Sequence, residues 1–183
     1  NARAQRFIAE DSYYACIGHE VAFAQQGKAF LVTDADCSYD PGDFRMPLLA
    51  EAAGIGELEG KGGFAPGTLT HAVATYNSGA ARGEDPLLHK HPKFLAPLAK
   101  APFRLYELDV TRAFCCSHTF GGLETTLDSQ VLDVFGSVIP GLYAAGRTTA
   151  GLPTSPYIAS GISVGDCTFF GRRAGRHAAK EVT

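Results

Sequence analysis

The sequence predicts an α/β fold, and three observations predict it. Ala29-Phe30-Leu31-Val32-Thr33-Asp34 is a short apolar run ending on a polar residue, as a buried strand requires. From Thr68 onward, Leu69, Val73, Tyr76 and Ala80 recur at helical spacing, and Gly83 supplies a stop. From Ile139 to Ala179 a strand, a glycine, a loop and a helix follow in that order.

The remaining elements follow in chain order. Residues 1–12 read as the end of a strand, a turn and an extended segment, and residues 13–27 alternate only weakly. Residues 35–46 read as loop, with Asp40-Pro41-Gly42-Asp43 as a strong turn signal. Met46 to Ala53 is a short helix candidate closed by Gly54. Residues 54–67 hold six glycines and one proline and read as loop. Residues 83–104 carry Pro86, Pro92, Pro97 and Pro102, so regular structure there should be short. Leu105 to Cys116 reads as a strand. A polar hairpin follows through Leu123-Glu124-Thr125, Asp128-Ser129-Gln130 and Val131-Leu132-Asp133. Leu142-Tyr143-Ala144-Ala145 reads as a buried strand leading into Gly146, and Gly161 to Ala179 as a helix. Gly161, Gly165, Gly171 and Gly175 would leave that helix a thin face for close packing.

Composition narrows the functional classes. A chain of 183 residues suits one domain or one and a half, and 45% apolar residues can fill a core. Net charge is −3, from 16 basic and 19 acidic residues, and no basic stripe points to nucleic acid. No apolar run approaches the ~18–20 residues that span a bilayer. The start, Asn1-Ala2-Arg3-Ala4-Gln5-Arg6, lacks the apolar stretch of a signal peptide. It also lacks an initiator Met, which suggests a fragment or a processed chain. Five cysteines without regular spacing fit free thiols in a reducing, cytoplasmic setting. Cys115 and Cys116 look like buried strand residues. No C-x-x-C is present, and no metal site is expected.

Two stretches carry chemistry. In Ser117-His118-Thr119-Phe120-Gly121-Gly122-Leu123, an imidazole sits beside backbone that a flat ligand can approach closely. An ordinary structural histidine is the competing reading. In the second, Ile139-Pro140-Gly141-Leu142-Tyr143-Ala144-Ala145-Gly146-Arg147 leads through a loop to Ser160-Gly161-Ile162-Ser163-Val164-Gly165-Asp166. A strand that ends at a glycine lets a ligand lie against bare backbone. The following helix start offers free N–H groups and a positive dipole end. A glycine-rich helix–strand contact with no ligand is the competing reading.

These stretches, with Gly171-Arg172-Arg173-Ala174-Gly175-Arg176-His177-Ala178-Ala179, resemble the C-terminal part of the fumarate reductase/succinate dehydrogenase-type flavoproteins, and most of all the 3-ketosteroid dehydrogenases. Arg6-Phe7-Ile8-Ala9-Glu10 resembles the family's R-F-x-N-E segment, with Ala9 in place of Asn. Tyr76-Asn77 and Gly83-Glu84-Asp85 resemble its Y-N and G-x-D stretch. The resemblance implies an α/β organisation: residues 1–116 as the later part of an α+β substrate (cap) domain, and 117–183 as the C-terminal segment of a Rossmann-type FAD domain. The family's first G-x-G-x-x-G motif is absent from this sequence, so the nucleotide end of the FAD site is expected from a missing N-terminal half.

The resemblance also implies a site. Gly146, Arg147, Ser160, Gly161, Ile162 and Ser163 stand where FAD is bound. In dicarboxylate-reducing members an arginine in the loop after the A-G motif clamps a substrate carboxylate. By count Tyr157 stands there, and a phenol suits a ketone on a large apolar body. The loop with Pro156-Tyr157-Ile158-Ala159-Ser160-Gly161 looks most like the delta-4 (5-alpha) branch. Tyr14 falls where the cap domain supplies a tyrosine beside the flavin, with Tyr13 as the near alternative. Tyr14 and Tyr157 are the catalytic candidates; Tyr13, His118 and Ser155 are the substrate-binding candidates. The implied reaction transfers a hydride from the carbon beta to a ketone, that of a 3-ketosteroid, to FAD N5. A fumarate-reductase-like enoate reductase, or a non-catalytic cap fragment that binds no flavin alone, are the alternatives. The bland readings also stand: core aromatics for Tyr13 and Tyr14, a loop plug for Tyr157, turn chemistry for Ser155, a surface cation for Arg147, and a solvated helix end for Arg172, Arg173 and Arg176.

Overall fold

The computed structural model describes residues 1–37, 45–112, 121–152, 157 and 159–181. The chain divides into two compact units, Asn1–Cys115 and Cys116–Thr183. Helix and strand are mixed, as the α/β reading expects. No described helix is long and apolar enough to cross a membrane.

The first unit is built on a three-stranded antiparallel sheet ordered β1-β3-β2: β1 (Lys28–Thr33), β3 (Phe103–Asp109) and β2 (Leu48–Ala52). Helices α2 (Ile55–Lys61) and α3 (Thr68–Ala80) pack with it. Ala4, Ala52, Leu58, Leu69, Val73, Phe103 and Leu105 form the core. Leu69 and Val73 are thus the inward positions of the helix that the spacing predicts. Helix α1 (Tyr14–Phe23) lies where the sequence alternates only weakly; Val21 is its one buried residue. The proline-rich stretch holds only a short 3-10 turn, Pro92–Phe94. It is tied down by polar side chains instead. Asn77 spans the Leu98 N–H and C=O, and the Asp34 carboxylate accepts from the amides of Ala99 and Lys100.

Several expectations are corrected here. Residues 1–12 form turns rather than a strand end. Met46 to Ala53 is not a helix: Leu48–Ala52 is a strand paired with β3. Residues 54–67 are not all loop, because α2 occupies half of them. The strand expected from Leu105 begins at Phe103 and ends at Asp109. Cys115, Cys116 and the 40–43 turn lie outside the described residues.

The second unit pairs β4 (Gln130–Leu132) with β5 (Val138–Tyr143) and adds α4 (Ile162–Glu181). The polar hairpin appears where expected, with a Thr125–Val131 bridge and the Ser129 N–H donating to the Thr126 carbonyl. β5 starts earlier than the expected Leu142 and is largely exposed, not buried. Tyr143 joins β5 to α4: its hydroxyl donates to Glu181 at 2.6 Å and lies 2.9 Å from His177 Nδ1. The thin glycine face of α4 is uncovered among the described residues. A Cβ at Gly161, Gly165, Gly171 or Gly175 would meet nothing within 4 Å among the described residues. Close approach occurs instead at Gly122, Gly146 and Gly151, against Thr148, Cys167 and Asp166.

Candidate active site

In the first unit, Arg6 is the hub. Its guanidinium grips Glu10 with two bonds of 2.8 Å, grips Asp85 at 3.0 and 2.8 Å, and stacks 4.6 Å from the centre of the Tyr76 ring. The R-F-x-N-E-like and G-x-D-like segments are therefore one structure. The Arg6 hydrogen bond holds the Asp85 carboxyl down to about 2, against burial. A cavity of about 410 Å³ opens beside this network, lined partly by His71, Thr75 and Leu87. Tyr13 caps α1 and Tyr14 begins it, their rings 4.4 Å apart. Tyr14 is 71% exposed, so it presents its ring outward from this unit.

In the second unit, β5 runs toward Gly146, whose φ of +76° only glycine holds without strain. A 3-10 turn, Gly146–Thr148, follows and packs on α4. The Thr149 hydroxyl donates to the Gly146 carbonyl at 2.7 Å and closes that turn. Tyr157 is buried beside the start of α4. Its hydroxyl accepts the Ser163 N–H at 3.2 Å and lies 2.8 Å from Ser163 Oγ. The Arg147 guanidinium stacks 5.3 Å from its ring centre. The Ser163 side chain first, then its N–H, and further the Arg147 charge hold the phenol below the ordinary tyrosine range. Ser160, Gly161, Ile162 and Ser163 line the approach to α4, and Gly161 has φ +87° with open space where a side chain would stand.

The structure thus brings Gly146, Arg147, Tyr157, Ser160, Gly161, Ile162 and Ser163 together in one unit. Tyr13 and Tyr14 belong to the other. His118 and Ser155 lie outside the described residues. Sequence reading missed the Tyr157–Ser163 pair, because the partners stand six positions apart and no periodicity links them. It also missed Asp166. That carboxylate is 1% exposed and accepts the Leu152 N–H at 3.3 Å with Oδ1, and its buried Oδ2 has no hydrogen-bond partner among the described residues. A carboxylate five residues into a helix carries no sequence signal for such burial.

The FAD binding domain family model matches residues 1–164. The chain belongs to this family, that of the fumarate reductase and succinate dehydrogenase flavoproteins. Its cofactor is FAD. The chain is similar to a vinyl phenol reductase of Lactiplantibacillus plantarum, 39% identical over 136 residues, covering 73% of this chain and 27% of that protein. It is similar to a cytochrome-type fumarate reductase of Shewanella frigidimarina, 36% identical over 126 residues, covering 69% and 20%. In structure it is similar to the 3-ketosteroid-delta4-(5alpha)-dehydrogenase of Rhodococcus jostii RHA1, solved with 4-androstene-3,17-dione. That match has a TM-score of 0.80 and 40% identity, over 98% of this chain and 38% of that one. The chain therefore spans well under half of the relatives it matches. The flavoprotein's residues fit an electron-rich ring at α4: no carboxylate stands in the first turn, and Gly161 leaves its approach open.

Proposed function

We propose that this flavoprotein dehydrogenates a C–C bond next to a ketone, and that the substrate is a 3-ketosteroid. The observation that carries the reading is Tyr157. It stands where a carboxylate-clamping arginine would be needed, and its hydroxyl is pinned at the start of α4. A fixed phenol aimed at the ketone oxygen stabilises the enolate that forms when the alpha proton leaves. Tyr14, exposed on the first unit, is the acid/base candidate that takes this proton. FAD, when bound, supplies the acceptor for the hydride lost from the beta carbon. Gly146, Arg147, Ser160, Gly161, Ile162 and Ser163 would hold its ring end; Ser155 and His118, with Tyr13, would orient substrate.

In this reading residues 1–116 are the substrate-domain part and 117–183 the closing segment of the FAD domain. A further stretch of polypeptide supplies the nucleotide end of the cofactor site, consistent with the partial coverage of the relatives. A second reading, reduction of an enoate, draws support from the vinyl phenol and fumarate reductases among the relatives.

The test is anaerobic mixing of the FAD-loaded protein with saturated 3-ketosteroids while flavin absorbance is followed. Bleaching is expected. Bleaching by succinate and by no 3-ketosteroid overturns the substrate. Tyr157→Phe should slow bleaching about 10²-fold, the usual effect of removing one oxyanion donor; an unchanged rate removes Tyr157 from the mechanism.

A further inference from the structure

Asp166 is a buried group to which the proposed reaction gives no part. It is the fifth residue of α4 and is 1% exposed. Burying a carboxylate costs more than burying an apolar side chain of its size, so cheap packing does not account for it. Its contacts do. Oδ1 accepts the Leu152 N–H at 3.3 Å. A Cβ at Gly151 would stand 2.7 Å from Oδ1 and 2.9 Å from Oδ2, too close for any side chain to fit. Gly151 lacks the positive φ found at Gly146, so the carboxylate, and not the backbone angle, is what demands glycine there. One residue further along α4, Cys167 lies against Gly146 in the same way. Asp166 and Cys167 thus press on the two ends of one segment, Gly146 to Leu152. Leu123 holds its middle, donating to the Thr148 carbonyl at 2.9 Å and accepting the Ala150 N–H at 3.0 Å.

We propose that Asp166 is a positioning residue for the flavin: it anchors the Gly151–Leu152 backbone to α4 and so fixes the segment that presents Gly146 and Arg147 to the flavin ring. This inference rests on the proposed placing of the ring end of FAD along Gly146 to Ser163, and it names the group that keeps that end in register with α4. Asp166 acts through the backbone and touches no cofactor atom. The anchor works because it is tight. Backbone that must meet a flat ring to within about 0.5 Å does so only when its support is itself fixed. A carboxylate buried against a bare Cα, with one oxygen on the next amide, is such a support.

The experiment reads the flavin and needs no turnover. The full-length protein is loaded with FAD, and the visible circular dichroism of the bound flavin is recorded beside its affinity and the thermal midpoint. Asp166→Ala and Gly151→Ala should each change the circular dichroism at saturating FAD and raise the dissociation constant about tenfold. Asp166→Asn keeps an acceptor for the Leu152 N–H and should restore the wild-type spectrum. The double variant Gly151→Ala/Asp166→Ala should bind FAD more tightly than Gly151→Ala, because the added methyl no longer meets a carboxylate. A merely structural role would lower the thermal midpoint and leave the spectrum of the loaded flavin as it is. Unchanged spectra in both single variants therefore overturn the proposal, and so does an Asp166→Asn spectrum as altered as that of Asp166→Ala. Should neither single variant take up FAD, Asp166→Asn and the double variant decide: failure of both to recover loading overturns it. Gly146→Ala separates this failure from that of the ring-end placing. If Gly146→Ala shifts the spectrum and the Asp166 and Gly151 variants do not, the positioning role alone falls; if Gly146→Ala shifts nothing either, the ring-end placing falls with it. A protein that passes every arm yet is bleached by no 3-ketosteroid loses the substrate reading and not this one.

Discussion

Arg6 reaches across 79 positions to Asp85 and also binds Glu10 four residues on, so one guanidinium closes the first unit. The Asp85 side chain is 2% exposed, and removing a partner from so buried a pair leaves a charge stranded. Asp85→Ala should therefore destabilise the unit by about 3 kcal/mol, measured by urea unfolding at neutral pH. The pH dependence has a definite sign. The folded Asp85 carboxyl is depressed from 3.8 to about 2, so its stabilisation is complete above the unfolded value and is lost as pH falls through the folded one. Wild type and Asp85→Ala should differ fully at pH 5 and converge toward pH 2. A constant difference across that range would show that the carboxylate charge contributes nothing. Both segments are legible in the sequence as separate motif-like stretches. Their joining is not, because spacing along a chain says nothing about a contact 79 residues away.

At the scale of elements, legibility follows how local the cause is. The helix from Thr68 is readable because Leu69, Val73, Tyr76 and Ala80 recur at helical spacing, and Leu69 and Val73 are the positions it buries. Leu48-Leu49-Ala50-Glu51-Ala52 has helical composition, yet pairing with β3 overrides it: Ala50, Glu51 and Ala52 oppose Leu105, Arg104 and Phe103. Helix α2 is hidden for the opposite reason. Its glycines argue against helix, but Leu58 is fully buried, and the Glu59 carboxylate accepts the N–H groups of Gly67 and Thr70, tying α2 to the start of α3. The same helix supplies a paired test of this account. A Cβ at Gly62 would lie 2.7 Å from buried Leu105 and 2.9 Å from Phe64, whereas one at Gly60 would meet nothing within 4 Å. Gly62→Ala should destabilise by about 1–3 kcal/mol through overpacking. Gly60→Ala should stabilise by up to about 1 kcal/mol through helix propensity alone. Thermal unfolding of the two variants measures the contrast, and equal shifts would refute the packing account of α2.

For the whole molecule, the two units differ in how far each is closed by its own residues. Among the described residues, the first has a contiguous core of seven buried residues. In the second, Val131 and Tyr157 are buried, but Leu127, Val134 and Phe135 are 75%, 93% and 90% exposed, and β5 is open along nearly its whole length. Apolar exposure on that scale marks a surface that another segment covers. It agrees with a chain that matches 27% of one relative's length and 38% of another's. It also agrees with the proposed division of the cofactor site, in which Gly146 to Gly165 would hold the ring end while this sequence carries no G-x-G-x-x-G for the pyrophosphate. The expected outcome is that these 183 residues, expressed alone, purify colourless and bind a hydrophobic dye strongly. Joined to the polypeptide that carries the nucleotide-binding motif, the protein should turn yellow and lose the dye signal. FAD absorbance at stoichiometric yield in the chain alone would overturn the division of the site, since the ring end by itself would then suffice to hold the cofactor.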